Sequence, residues 1–358
     1  MRKFSILFTT NHPAPYIDKQ VDILRRNFSV DIVYKKRKDN YKKWKGFSGF
    51  KGKYYDEMSL LDFINYYRKH DIAILGGWSN LYCFITILCS FLFKTRCCVF
   101  SDHPTLVIKK NIWFYVRKYI LFKSLDYILC ATESTRHFYN RNYGISYSKL
   151  LLFPYCYDDS YSNDNKDINS RREYALKNEN ERINVFIANN FIKRKGYSSI
   201  LTAFEHLHEK GILSKYRIRI AGNGELHDEI KNRLDKLNED IILLGWIEDE
   251  QYLYEMDHCD VFIHASVFEP FGIPPLDAMC RGKLLIASDG VESVNTIIEN
   301  GVNGFVFEAD NGGDLADILA NISRSQIYVI GNNGRNKLLE TYNNRVFETT
   351  INKVIAGI

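Results

Sequence analysis

Two carboxylates, Glu269 and Asp277, bracket a corner that reads VFEPFGIPPLD. The run ahead of it, DVFIHAS, is rich in β-branched and apolar residues and reads as a buried strand. Pro274 fits the first turn of a helix, where a missing N–H costs nothing. A strand, a tight loop and a helix N-terminus present free backbone N–H groups and a positive dipole end, which suit a phosphate. An acid on either side would then read hydroxyls. The plainer alternative is an ordinary corner with two solvated acids.

Three other stretches offer related chemistry, each after a strand-like run. NNFIKRKG places Lys193, Arg194 and Lys195 before Gly196, and three cations ahead of a helix suit a diphosphate. Gly222-Asn223-Gly224 lets backbone approach a ligand closely. This G-x-G lacks the third glycine and the spacing of a dinucleotide fingerprint, so it does not predict NAD. Gly245-Trp246-Ile247 offers a shelf for a nucleobase. Together these describe a nucleotide-diphosphate site. His103, at the end of FSDHP, is a further candidate, whereas His264 lies inside a strand and reads as core or cleft wall. His206 and His208 share a helix without partner ligands and read as solvated.

The elements that must position these residues alternate. Strand-like runs FSILFTT, VDIVYKK, DIAILGG, RCCVFSDHP, YILCAT and KLLLFPY are separated by helical patterns. A polar linker, 158–182, follows, and the alternation resumes from INVFIANN to NGFVFEAD, with 333–358 helical to the end. Such alternation predicts an α/β protein with two doubly wound parallel sheets covered on both faces, facing a cleft. Ligands of such sheets bind outside the carboxyl ends of the strands, where the motifs fall. The expected domains are 1–160, 161–335, and a C-terminal helix, 336–358, packing back on the first.

At 358 residues, two domains are the expectation, and 46% apolar with 25% charged residues is a soluble globular composition. Eight cysteines show neither CxxC pairs nor zinc spacing, and read as reduced, mostly buried thiols of a cytoplasmic protein. The apolar run at the N-terminus is too short for a signal peptide. The most apolar run, LYCFITILCSFLF (81–93), is too short to span a bilayer and reads as a buried helix. Residues 1–160 hold 26 Lys and Arg against 13 Asp and Glu, while the remainder is acidic. The excess is densest at 35–53, where lysines interleave with Trp44, Phe47 and Phe50. That pattern suits an anionic membrane surface, preferred here over nucleic acid.

The order of motifs resembles glycosyltransferase family 4, of the GT-B fold with two Rossmann-like domains. The likeness runs over most of 183–320 and rests on the KRKG loop, IAGNGEL, LGWI and above all ASVFEPFGIPPLDAMCRGK; FSDHP and KLLLFPYCYD resemble the family's first half. It implies a retaining transferase that moves a hexose-type sugar from a nucleotide-diphosphate sugar, UDP before GDP, to a lipid-linked or polysaccharide acceptor. On this resemblance Glu269, His103 and Lys195 are catalytic. Glu269 meets the donor sugar, Lys195 the phosphate, and His103 the transferred sugar. Asp277 holds the ribose. Arg194, Asn190, Gly222, Gly224, Trp246, Ile247, Phe271, Gly272, Ile273 and Pro274 complete the donor site, and His12 and Tyr16 face the acceptor. Two positions depart from the family: Asn190 stands where an arginine is common, and Asp277 where glutamate is usual. No Asp-x-Asp occurs in a suitable loop for Mg²⁺, so no metal or other cofactor is expected. The expected location is the cytoplasm, peripheral at the inner face of the membrane. Another GT-B enzyme, a phosphorylase or epimerase, and a non-catalytic nucleotide-sugar-binding subunit are the rival readings.

Overall fold

The computed structural model describes residues 3–11, 13, 15–35, 52–76, 81–102, 119–157 and 181–357. His12, Trp78, His103 and most of the basic segment 35–53 lie outside the described residues, as does the side chain of Tyr16. The chain divides into two compact units, one formed by 1–156 with 344–358 and the other by 157–343.

The first unit holds a parallel sheet of β1 (Ser5–Thr10), β2 (Ser29–Tyr34), β3 (Lys53–Tyr54), β4 (Ile72–Gly76), β5 (Arg96–Ser101), β6 (Tyr127–Cys130) and β7 (Leu150–Leu152). Their order is β3-β2-β1-β4-β5-β6-β7. The strands are apolar because both faces of a parallel sheet are covered; Ile6, Leu7, Ala73, Ile74, Cys97 and Cys98 are all fully buried. The helix Asn344–Ala356 closes this unit. Phe347 stacks on Phe153 at 4.0 Å between ring centres, and Thr350 Oγ1 donates to the Leu152 carbonyl at 2.6 Å. Gln20 fixes the chain just before it leaves the unit. Its amide donates to the Cys156 carbonyl (3.1 Å) and accepts from the Cys156 N–H (2.8 Å).

The second unit repeats the architecture with β8 (Ile183–Ala188), β9 (Tyr216–Ala221), β10 (Ile241–Gly245), β11 (Val261–His264), β12 (Leu284–Ser288) and β13 (Phe305–Phe307). Their order is β10-β9-β8-β11-β12-β13, and every pairing is parallel. Each unit is therefore a Rossmann-like α/β sheet whose order reverses beside its first strand, at β1/β4 and at β8/β11, the point at which such sheets receive ligands. All eight cysteines are buried. Among the described residues no helix is long and apolar enough to cross a membrane.

Two expectations are corrected. The stretch 333–358 is not one helix: Arg324–Thr341 ends and Asn344–Ala356 begins anew. The Asn343 side chain donates to the carbonyls of Leu339 (3.1 Å) and Glu340 (2.8 Å), so it caps the first helix, which stays with the second unit. The helix Leu81–Phe93 is not buried all round: Leu81, Phe84, Leu88, Phe91 and Leu92 are exposed.

Candidate functional site

The carboxyl ends of β8, β9, β11 and β12 are knitted together by backbone. After β8 the chain makes a 3₁₀ turn, Lys193–Lys195, and enters the helix Tyr197–Glu209 through Gly196. Gly196 is left-handed (φ 68°), and a Cβ there would meet the Ala265 carbonyl oxygen at 1.8 Å. The loop after β11 is pinned against it by the Val267 N–H donating to the Arg194 carbonyl (2.9 Å). Gly222 and Gly224 lie against the backbone of Asn189 and Phe191, and the Phe191 N–H donates to the Asn223 carbonyl (3.0 Å). The Glu269 N–H donates to the Gly290 carbonyl (2.8 Å). Gly272 (φ 96°) then starts the helix Ile273–Cys280, with Pro274 and Pro275 in its first turn.

This framework brings Lys195 and Glu269 into contact, the Lys195 ammonium donating to Glu269 Oε2. Lys195 is 8% exposed, unusual for lysine without a carboxylate partner. Arg194 Nη1 lies 3.5 Å from the same oxygen and donates to the Phe268 carbonyl at 2.6 Å. Behind the acid stands a chain of polar groups absent from the sequence expectation. Asn189 Nδ2 donates to His264 Nδ1 (3.2 Å), which puts the ring proton on Nε2, facing Ser266 Oγ at 3.1 Å. The Ser266 hydroxyl then donates to Glu269 Oε2 at 3.4 Å. Alternation along an extended strand puts residues 264 and 266 on one face, and this is the signal that links them to the acid. His264 is buried, as a core position would be, and is hydrogen-bonded through both ring nitrogens.

Burial alone would push the Glu269 carboxyl up. The His264 ring, 3.8 Å away, and the Lys195 ammonium outweigh it and lower the pKa from 4.5 to about 2. Burial, together with Lys195 and Arg194, holds His264 below its usual range, so the ring is neutral at pH 7. A carboxyl with a depressed folded pKa contributes stability that is complete above its unfolded pKa and lost as pH falls through the folded one. Acid titration followed by circular dichroism should therefore show stability falling between about pH 4.5 and 2, by on the order of 3 kcal/mol. The Glu269→Gln variant should fall less steeply over that window; an identical slope would remove Glu269 from the acid response.

Asp277 sits one turn into the helix Ile273–Cys280. Its Oδ1 accepts from the Tyr157 hydroxyl and its Oδ2 from the Tyr252 hydroxyl, both at 3.2 Å. Neither tyrosine was expected at the site. Phe271 is buried, and the Ser293 N–H donates to its carbonyl at 3.0 Å. Trp246 is 39% exposed and Ile247 half-buried at the end of β10. Asn190 is exposed beside Asn189. The arrangement gathers Lys195, Arg194, Glu269 and the glycine corners at one sheet end. It offers a cation, an ionised acid and close backbone approach to one ligand.

Residues 167–341, just under half of the chain, match the family model described as glycosyl transferases group 1. A Klebsiella pneumoniae protein described as an uncharacterized 41.2 kDa protein in the cps region is 25% identical over 221 residues, 59% of this chain and 55% of its own. A Campylobacter jejuni GalNAc-α-(1→4)-GalNAc-α-(1→3)-diNAcBac-PP-undecaprenol α-1,4-N-acetyl-D-galactosaminyltransferase is 27% identical over 158 residues, 44% of this chain and 40% of its own. The chain spans about half the length of these curated relatives. The crystal structure of Anabaena HepE in complex with UDP and glucose superposes with a TM-score of 0.73 at 16% identity, covering 99% of this chain and 100% of that one. The fold is thus that of GT-B glycosyltransferases.

Proposed function

We propose that this chain is a retaining glycosyltransferase of family 4, moving a hexose-type sugar from a UDP-sugar to a lipid-linked or polysaccharide acceptor in cell-surface glycan biosynthesis. The observation that carries the reading is the contact of Lys195 with Glu269 at the ends of β8 and β11. Glu269, ionised, receives hydroxyls of the donor sugar, and Lys195, joined by Arg194, faces the diphosphate. Breaking the sugar–phosphate bond develops negative charge on the leaving phosphate. A fixed cation aimed there lowers the barrier because it needs no reorganisation. Pro274 and Pro275 leave only Ile273 and Leu276 as N–H donors among the first four helical residues, so the side-chain cations carry more of that charge. Attack on the same face of the sugar, with the departing phosphate oxygen accepting the acceptor's proton, retains configuration and needs no metal or other cofactor. The family resemblance assigns His103 to the transferred sugar, Asp277 to the ribose and His12 and Tyr16 to the acceptor, while Trp246 and Ile247 offer the base a shelf.

The donor base is supported by HepE, whose structure holds UDP and glucose. The acceptor class is supported by the cps-region relative and by the undecaprenol-linked glycan in the other relative's name. The basic segment 35–53 draws the protein to the anionic inner face of the membrane. A thermal-shift series tests the donor. A nucleotide at a hundredfold excess over its Kd stabilises the folded state by about 2.7 kcal/mol. UDP should raise the melting temperature by several degrees and GDP by less; no shift with either would sink the reading.

A further inference from the structure

The helix Leu81–Phe93 has its amphipathicity inverted. Its buried positions are Cys83, Thr86, Ile87, Cys89 and Ser90, small or polar except for Ile87. Thr86 Oγ1 finds no hydrogen-bond partner there, and the Ser90 hydroxyl turns back to the Ile87 carbonyl at 2.6 Å. Its water-facing positions are large and apolar: Leu81 is 70% exposed, Phe84 49%, Leu88 60%, Phe91 63% and Leu92 66%. Steps of three and four residues put them on one stripe. Packing against the sheet uses Cys83, Ile87 and Cys89 and does not account for the large apolar residues left facing water. A contiguous exposed apolar stripe marks a surface that is covered in use.

The charges around the stripe identify what covers it. At its C-terminal end a groove of about 810 Å³ is lined by Phe91, Tyr119 and Ile120 together with Arg96, Lys123 and Lys149. Exposed Lys94 follows the helix directly, Lys123 lies 5.1 Å over the Tyr119 ring, and Arg68 lies 5.1 Å over the Phe93 ring. The acid in that lining, Asp126, is already engaged: it accepts from the Cys97 N–H at 2.7 Å and faces Arg96 at 3.7 Å. A second copy of the chain would bring these cations against their own kind. A bilayer carrying anionic lipid meets both the stripe and the charge. Thirteen residues at 1.5 Å each make a helix of about 20 Å, too short to cross a hydrocarbon core of about 30 Å but suited to lying in its interface.

We infer that the exposed face of the helix Leu81–Phe93, with the cations at its C-terminal end, docks on an anionic bilayer surface. The inference rests on the membrane part of the reading above and is independent of the donor chemistry. Co-sedimentation with vesicles of phosphatidylcholine, with and without phosphatidylglycerol, tests it. The Phe84→Ser/Leu88→Ser variant should bind both vesicle types at least tenfold more weakly than the wild type, at unchanged melting temperature. Its transfer to a water-soluble acceptor should be unchanged. The Lys94→Glu/Lys123→Glu variant should lose only the phosphatidylglycerol-dependent, salt-sensitive part. Wild-type binding by the Phe84→Ser/Leu88→Ser variant, with loss on replacing Lys42, Lys43 and Lys45, would overturn the inference and leave the membrane reading intact. Failure of the wild-type protein to bind any vesicle would overturn both, with nucleotide release still deciding the donor reading. A dimer in light scattering that those two serines dissolve, without vesicle binding, would make a second copy the occupant and overturn the inference.

Discussion

Lys195→Ala is expected to lower sugar transfer by about 10²–10³-fold, the loss typical of removing one preorganised group from a site of developing charge. The ammonium is buried and already fixed on the Glu269 carboxylate, so it does not have to be ordered when the donor arrives. Removing it leaves Glu269 with Arg194 at 3.5 Å as its nearest cation, which raises the acid's pKa and weakens donor binding as well. Glu269→Gln separates the two roles. Freed from its carboxylate partner, Lys195 should hold UDP at least as tightly, while turnover of the intact nucleotide-sugar collapses. Steady-state kinetics beside UDP titration reads that split. Equal weakening of UDP by both variants would show that the pair binds as one unit and that the division of roles is wrong.

Gly196→Ala is expected to cost about 3 kcal/mol or more, the largest effect on stability of any single methyl group in this loop. Two terms combine. The left-handed φ of 68° disfavours any side chain, and the added Cβ would stand 1.8 Å from the Ala265 carbonyl oxygen. Backbone must therefore move, and the strut it would move joins Lys195 to the loop that carries Glu269. Thermal denaturation should show the drop, and the pocket should fail with it: UDP should no longer raise the melting temperature. A variant that melts with the wild type would mean the two loops are not packed as described. Gly211, also left-handed (φ 67°), is the control: a Cβ there meets nothing within 4 Å, so Gly211→Ala should cost only the backbone term.

Much of this was legible from residues alone, for physical reasons that also mark where legibility stopped. Strands buried on both faces read as apolar runs, so the strands that frame each sheet were placed within a few residues. β3, only Lys53–Tyr54, is too short to leave a pattern. The corner at Glu269 and the KRKG loop announced themselves through proline, glycine and charge. That they meet was not visible, because the contact between positions 195 and 269 exists only once β8 and β11 pair. His264 was set aside because a lone histidine in a strand is more often structural. Its parity with Ser266 held the missing link. Tyr157 and Tyr252 reach Asp277 from 120 and 25 residues away, distances at which sequence spacing says nothing. The helix Leu81–Phe93 misled for a different reason: total hydrophobicity says how apolar a segment is, and not which of its residues face inward. The break after Thr341 was written in Asn343 and Asn344, residues that favour helix ends, within a stretch otherwise helical in pattern.

The central claim is that the loops after β8 and β11 form the donor site of a glycosyltransferase. Nucleotide release from a panel of UDP- and GDP-sugars, with lipid-linked and glycan acceptors, tests it most directly in the wild type and in Glu269→Ala. Acceptor-dependent UDP release from at least one UDP-sugar is expected, lost on replacing Glu269. Release of no nucleotide with any pairing, or release that Glu269→Ala leaves unchanged, would contradict it.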